Sequence, residues 1–201
     1  MTRRNRFLAI VWVLVCTAPA GGCVPLAVGG GAVAVNAESQ ERGLEGTIND
    51  TVIRANINEH WYSHDKAVYN AVGLQVTEGR VLLTGRAPTQ QVRLDAVRLA
   101  WQVDGVKEVI NEIQIAKEGE GSTFGTDTWI TTQLNTKLLF DRDVESVNYS
   151  VEAVRGVVYL MGIAQTQAEL DRVTNHARNL RYVRRVVSYV RIKDDPGRQG
   201  T

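Results

Sequence analysis

Glu78-Gly79-Arg80-Val81-Leu82-Leu83-Thr84-Gly85 decides the reading of this chain, because its pattern returns as Arg155-Gly156-Val157-Val158-Tyr159-Leu160-Met161-Gly162. A shift of about 77 residues lays Thr51–Lys117 on Thr128–Asp194 without a gap. Ile53 then meets Ile130, Asn58 meets Asn135, Ala87 meets Ala164, Val109 meets Val186 and Ile115 meets Ile192. An unbroken register of this length is the signature of a duplicated domain, so the chain reads as two copies of one small unit.

Within each unit, a glycine-bearing dipeptide separates two short runs rich in β-branched residues and leucine: Gly73–Thr77 and Arg80–Gly85, then Val151–Val154 and Val157–Gly162. Two antiparallel strands joined by a tight turn fit that pattern. Upstream, Ile48, Val52, Ile53 and Ile57, and then Ile130, Leu134 and Leu138, recur at helical spacing and predict an opening helix, with Asp127 as the N-cap of the second. Downstream, Val92, Ala96 and Leu99, and then Leu170, Val173 and Ala177, mark one face of a second helix. Alternation over Glu108–Ile115 and Arg185–Ile192 marks a last strand. The order is αββαβ, and a right-handed crossover makes the second and third strands parallel, giving a mixed three-stranded sheet with both helices on one face. The fold class is therefore α+β. A unit this small has a modest core, so packing between the copies or against a lipid surface is a natural source of further stability.

These segments resemble the BON domain: the αββαβ order, the Glu78–Gly85 stretch, Asp104-Gly105-Val106, and Val109-Ile110-Asn111-Glu112-Ile113. Asp127-Thr128-Trp129-Ile130-Thr131-Thr132 is the most specific part, and with the N-terminal features below it makes the whole chain look like the dual BON-domain outer-membrane lipoproteins of Gram-negative bacteria. That resemblance implies binding of anionic phospholipid through the second domain, support of outer-membrane integrity and, in some members, recruitment to division sites. The division of the chain is 1–22 signal peptide, 23–46 lipidated tether, 47–117 first domain, 118–125 glycine-bearing linker, 126–195 second domain and 196–201 disordered tail.

Arg3, Arg4 and Arg6 precede an apolar run, Phe7 to Cys16, and then small residues up to Cys23. This is the order of an export signal, and a run of about ten residues falls well short of the roughly 20 that cross a bilayer as a helix. Ala20-Gly21-Gly22-Cys23 resembles a lipobox, with alanine where leucine is commoner, so Cys23 is the expected lipidation site. Val24, where aspartate would imply inner-membrane retention, implies the periplasmic face of the outer membrane. Apart from that covalent lipid no cofactor is expected.

Binding residues are sought where the copies differ and the core does not constrain them. Stepping about 100° per residue from Trp129 puts Thr132, Gln133, Thr136 and Phe140 within about 60° of it, away from the Ile130, Leu134, Leu138 stripe. The first copy has Val52, Ala55, Asn56, Glu59 and Ser63 there. Amphipathic aromatic rings suit the boundary between headgroups and acyl chains, which makes Trp129, Thr132, Gln133, Thr136 and Phe140 the candidate phospholipid-binding residues. Charge adds a second contact. The chain as a whole is near neutral at +1, but Thr126–Lys193 holds ten basic and seven acidic residues against eight of each in Thr47–Lys117. Arg178, Arg181, Arg184 and Arg185 crowd the region between the second helix and the last strand.

Near-neutral charge and an envelope address exclude nucleic acid as a partner, and no motif points to a small-molecule substrate. Both cysteines, Cys16 and Cys23, lie in the leader, so no disulfide framework or cysteine metal site exists downstream. His60 and His64 stand four apart with no third ligand, and no nucleophile, base or carboxylate pair assembles a catalytic set, so no metal is assigned and the chain reads as a non-enzyme. The alternative to lipid recognition is a periplasmic protein-interaction or chaperone-like stress adaptor, in which the same aromatic stripe meets envelope proteins.

Overall fold

The computed structural model describes residues 43–117, 119 and 121–196. The leader, Cys23 and most of the expected tether lie outside the described residues. Domain one runs α1 (Gly43–His64), α2 (Lys66–Ala71), β1 (Val72–Thr77), β2 (Arg80–Ala87), α3 (Gln90–Ala100), β3 (Glu108–Asn111) and β4 (Gln114–Ile115). Domain two runs α4 (Phe124–Phe140), a 3-10 turn (Ser146–Asn148), β5 (Tyr149–Val154), β6 (Val157–Ala164), α5 (Gln167–Arg178) and β7 (Arg185–Ile192). β1 pairs antiparallel with β2, and β2 pairs parallel with β3 and β4; β5, β6 and β7 repeat that topology. Each unit is thus a three-stranded mixed sheet backed by helices, with the last strand of domain one interrupted after Asn111.

The hairpins turn on Glu78-Gly79 and Arg155-Gly156, all four at positive φ (56°, 76°, 54° and 73°). Positive φ at both central residues is what a two-residue turn needs to follow the right-handed twist of its strands. Helices α3 and α5 start alike, with the Thr89 and Thr166 side chains accepting from the N–H groups of Val92 and Glu169.

Three points differ from the sequence reading. Helix α1 begins at Gly43, inside the expected tether, and only Ile53 and Ile57 of its stripe are buried; Ile48 and Val52 are exposed, while Trp61 completes the core and its indole N–H donates to the Ala96 carbonyl at 3.1 Å. The burial face has rotated toward the one large ring that can bridge α1 and α3. An added helix, α2, capped by Asp65, occupies the place of the 3-10 turn of domain two. Finally, Asp127 is not an N-cap: α4 starts at Phe124 after Thr123, and Asp127 sits one turn inside the helix.

Each domain has its own helix-facing core, Ile53, Ile57, Trp61, Val81 and Leu83 among its members in the first and Ile130, Leu134, Leu138, Val158 and Leu160 in the second. A third cluster joins Leu82 of domain one to Val154, Val157, Tyr159 and Met161 of domain two, flanked by Ile110, Val187 and Tyr189. These residues point away from the helices, so the two sheets pack on each other. β6 is buried along its whole length, as a strand covered on both faces must be. At the edge of this interface Arg80 donates to the Tyr189 carbonyl at 2.9 Å and Arg191 lies 3.7 Å from Glu108. The Tyr189 hydroxyl donates to the Glu112 carboxylate, and burial together with that carboxylate pushes it up to about 12.

Candidate functional site

One carboxylate organises the tip of each domain. Asp127 accepts the N–H groups of Arg155 and Gly156, both at 2.9 Å, and the Thr123 hydroxyl at 2.6 Å. In domain one, Asp50 accepts from Glu78 and Gly79, again at 2.9 Å each. The opening helix is therefore clasped to the hairpin turn at the same place in both copies. The sequence carried the signal, an aspartate at the repeat spacing just before the aligned segments, but helix capping was the wrong use for it.

The clasp fixes the rotation of α4. Ile130, Leu134 and Leu138 face the core, and the opposite side is open: Trp129 is 39% exposed, Leu139 67% and Phe140 78%. Thr132 and Thr136 are exposed and Gln133 half-buried. The Thr136 hydroxyl donates back to the Thr132 carbonyl at 2.8 Å, so it is tied to its own helix. Thr132, with Thr128 and Thr131, borders a cleft that Asn70 and Arg86 of domain one line from the other side. Leu139 and Phe124, both strongly exposed, were not singled out from the sequence; Leu139 follows directly on the buried Leu138 and belongs to the same outward surface as Phe140.

Trp129 meets a partner within its own domain. Its ring meets Tyr182 edge-on, with centroids 5.6 Å apart at 80°, and the Arg181 guanidinium lies 4.7 Å over the Tyr182 ring. Arg178, Arg181, Arg184 and Arg185 are all exposed, and among the described residues no carboxylate pairs with any of them. The opposite end of α4 is held differently. His176 lies 2.6 Å from the carboxylate of Asp141, which caps the helix, and Arg172 pairs with Asp143 at 2.9 Å. The His176 hydrogen bond, helped by the Asp143 N–H, lowers the Asp141 carboxyl below its ordinary value.

His60 and His64 are not brought together as ligands: His64 faces Asp95 at 3.6 Å. Among the described residues no group of three or more His, Cys, Asp or Glu side chains could hold a metal ion, and no helix is long and apolar enough to cross a membrane.

Two sheet-and-helix units of this kind, duplicated and packed through their sheets, with an exposed aromatic and arginine-bearing surface on the second, define a tandem α+β repeat protein. The BON domain pattern matches residues 49–117 and 126–194, and the chain belongs to the BON family. It is 30% identical to "Outer membrane lipoprotein DolP" of Haemophilus influenzae over 178 residues, 86% of this chain and 90% of that protein. It is 30% identical to "Osmotically-inducible protein Y" of Escherichia coli over 148 residues, 73% and 74% of the two chains. An "Uncharacterized protein in gshII 5'region" of Anaplasma centrale is 42% identical over 147 residues, 73% of this chain and 96% of the other.

Proposed function

We propose that this protein is an envelope lipoprotein, anchored through Cys23 at the periplasmic face of the outer membrane, whose second BON domain binds anionic phospholipid and supports outer-membrane integrity. The observation that carries the reading is the outward side of α4, where Trp129, Leu139 and Phe140 are exposed and Trp129 stands against Tyr182, whose ring carries the Arg181 guanidinium that no described carboxylate neutralises. Apolar side chains left in water next to unpaired cations suit an interface that is apolar below and negatively charged above. Each arginine near such a surface contributes about 1 kcal/mol, and an acyl anchor raises the effective concentration of the domain at the membrane, so the site itself needs only weak affinity. The similarity to an outer membrane lipoprotein over most of both chains supports the location, and Val24 after Cys23 agrees with it. Recruitment to division sites is part of the same proposal through the family resemblance.

The test is a titration of residues 37–201 with anionic and then zwitterionic micelles, followed by amide shifts. Shifts centred on Trp129–Phe140 and seen only with the anionic lipid support the reading. Absence of any response to either lipid overturns it in favour of a protein-binding adaptor. Anchoring is tested separately: the chain should incorporate labelled fatty acid, and Cys23→Ser should abolish that label.

A further inference from the structure

The internal repeat supplies a control for the tip of domain two. The backbone there is the same in both copies: the aspartate clasp, the bond from Lys107 N–H to the Gly79 carbonyl at 2.8 Å matched by Arg184 N–H to Gly156 at 2.7 Å, and a turn closed by Val106 N–H to Val103 matched by Val183 N–H to Leu180, both at 3.3 Å. The side chains on that shared frame are not the same. In domain one Val52, Glu78, Asp104, Gly105 and Lys107 surround an open recess of ≈ 580 Å³. At the repeat-equivalent positions domain two has Trp129, Arg155, Arg181, Tyr182 and Arg184. Two acids and a lysine have become three arginines, and a valine and a glycine have become aromatic rings.

Tyr182 is the informative member. Its φ is 69°, where Gly105 has 88°, so an L side chain has been placed in a turn position that favours glycine. Core packing does not account for it, because Tyr182 is 51% exposed. What the ring does is stand edge-on to Trp129 and carry the Arg181 guanidinium on its face. An exposed ring pair under a guanidinium fork combines a wedge for the acyl boundary with a donor set matched to phosphate oxygens.

We propose that this tip is the seat of the phosphodiester of an anionic phospholipid in a bilayer, with Tyr182 as the second aromatic anchor beside Trp129 and Arg181 as the phosphate-binding group. The inference rests on the reading that domain two meets lipid, and it extends the contact from α4 onto the turn between α5 and β7. The occupant is a membrane lipid and not a free phosphate because the rings beside the cations are themselves exposed, and solvent-facing rings gain from an apolar layer.

The experiment uses residues 37–201, which lack both the leader and Cys23 so that no anchor contributes, and compares sedimentation with vesicles of phosphatidylcholine alone and with added phosphatidylglycerol. Tyr182→Gly restores the residue that domain one carries on the same backbone and should melt with the parent chain. It should weaken the phosphatidylglycerol-dependent binding about ten-fold, Arg181→Gln about five-fold, and Tyr182→Phe hardly at all. Parent-like binding by Tyr182→Gly and Arg181→Gln while Trp129→Glu loses it overturns this inference and leaves the lipid-binding reading standing. Parent-like binding by Trp129→Glu as well overturns both. Full competition by soluble glycerol phosphate overturns the membrane lipid as the occupant.

Discussion

Asp127 accepts the backbone N–H of Gly156 at 2.9 Å across 29 residues of sequence, and Asp50 does the same for Gly79. A charged acceptor that satisfies two turn N–H groups does more than cap a strand end, because it also sets which side of α4 faces outward. Each such bond to a charged group contributes about 1.5–3 kcal/mol, less than additively for a pair. Asp127→Ala should therefore destabilise domain two by about 3 kcal/mol, read as a lower urea midpoint, and Asp50→Ala should do the same for domain one. An unchanged midpoint would show that the hairpin turns hold themselves.

Gly162 has φ 147°, and a Cβ there would lie 2.0 Å from the Asn148 carbonyl oxygen; at Gly85 the clash is with the Ala71 carbonyl at 2.4 Å. Backbone cannot swing aside as a side-chain tip can. Gly162→Ala should cost about 3 kcal/mol or more in thermal or urea unfolding. Gly125→Ala is the contrasting case: nothing lies within 4 Å of its Cβ position and it sits in α4, so alanine should stabilise by about 0.5–1 kcal/mol.

The repeat, the hairpins and the second helices were legible because each is a local pattern with its own period. Helix α1 was less so: Ile48, Val52, Ile53 and Ile57 fit a stripe, yet the face that is buried is the one ending in Trp61, and a single large ring outweighs two aliphatics that nothing covers. The sheet-to-sheet interface had a signal in Val157-Val158-Tyr159-Leu160-Met161, an apolar run without alternation, which a strand open to water on one face would not carry. Of the candidate site, the outward positions of Trp129 and Phe140 follow from helical geometry alone. Tyr182 does not, because its contact with Trp129 depends on a turn closing 53 residues later, and no period in the sequence reports such closure; only its replacement of Gly105 in the aligned copy marks it.

Leu82, Tyr159 and Met161 are almost fully buried between the sheets, in a cluster separate from either helix-facing core. Leu82→Asp places a carboxylate there without disturbing Ile53, Trp61 or the core around them. The substitution should cost about 4 kcal/mol or more and turn one unfolding transition into two, as each domain then melts by itself. Calorimetry distinguishes the outcomes, and a single unshifted transition would remove the interface as a source of stability.

Glu152 lies on the interface side of β5, where burial raises its carboxyl above the ordinary value; the Gln75 side chain hydrogen-bonds to it and opposes the shift, and the charge of Asp127 adds to it. A carboxyl whose folded value is raised binds its proton more tightly in the folded chain than in the unfolded one. Stability from this group is therefore full below the unfolded value of 4.5 and is lost as pH rises through the raised folded value. Asp95 and Asp141 work in the opposite sense: hydrogen bonds, from Gln91 and Arg98 in one case and His176 in the other, lower them, so their contribution is present above 3.8 and lost as pH falls through the lowered values. Glu152→Gln keeps the hydrogen-bonding shape and removes the charge. It should melt above the parent at neutral pH and flatten the decline in stability above pH 4.5, leaving the acid limb set by Asp95 and Asp141 in place. A variant that melts below the parent at neutral pH would mean that the ionised Glu152 holds the two sheets together and does not strain them.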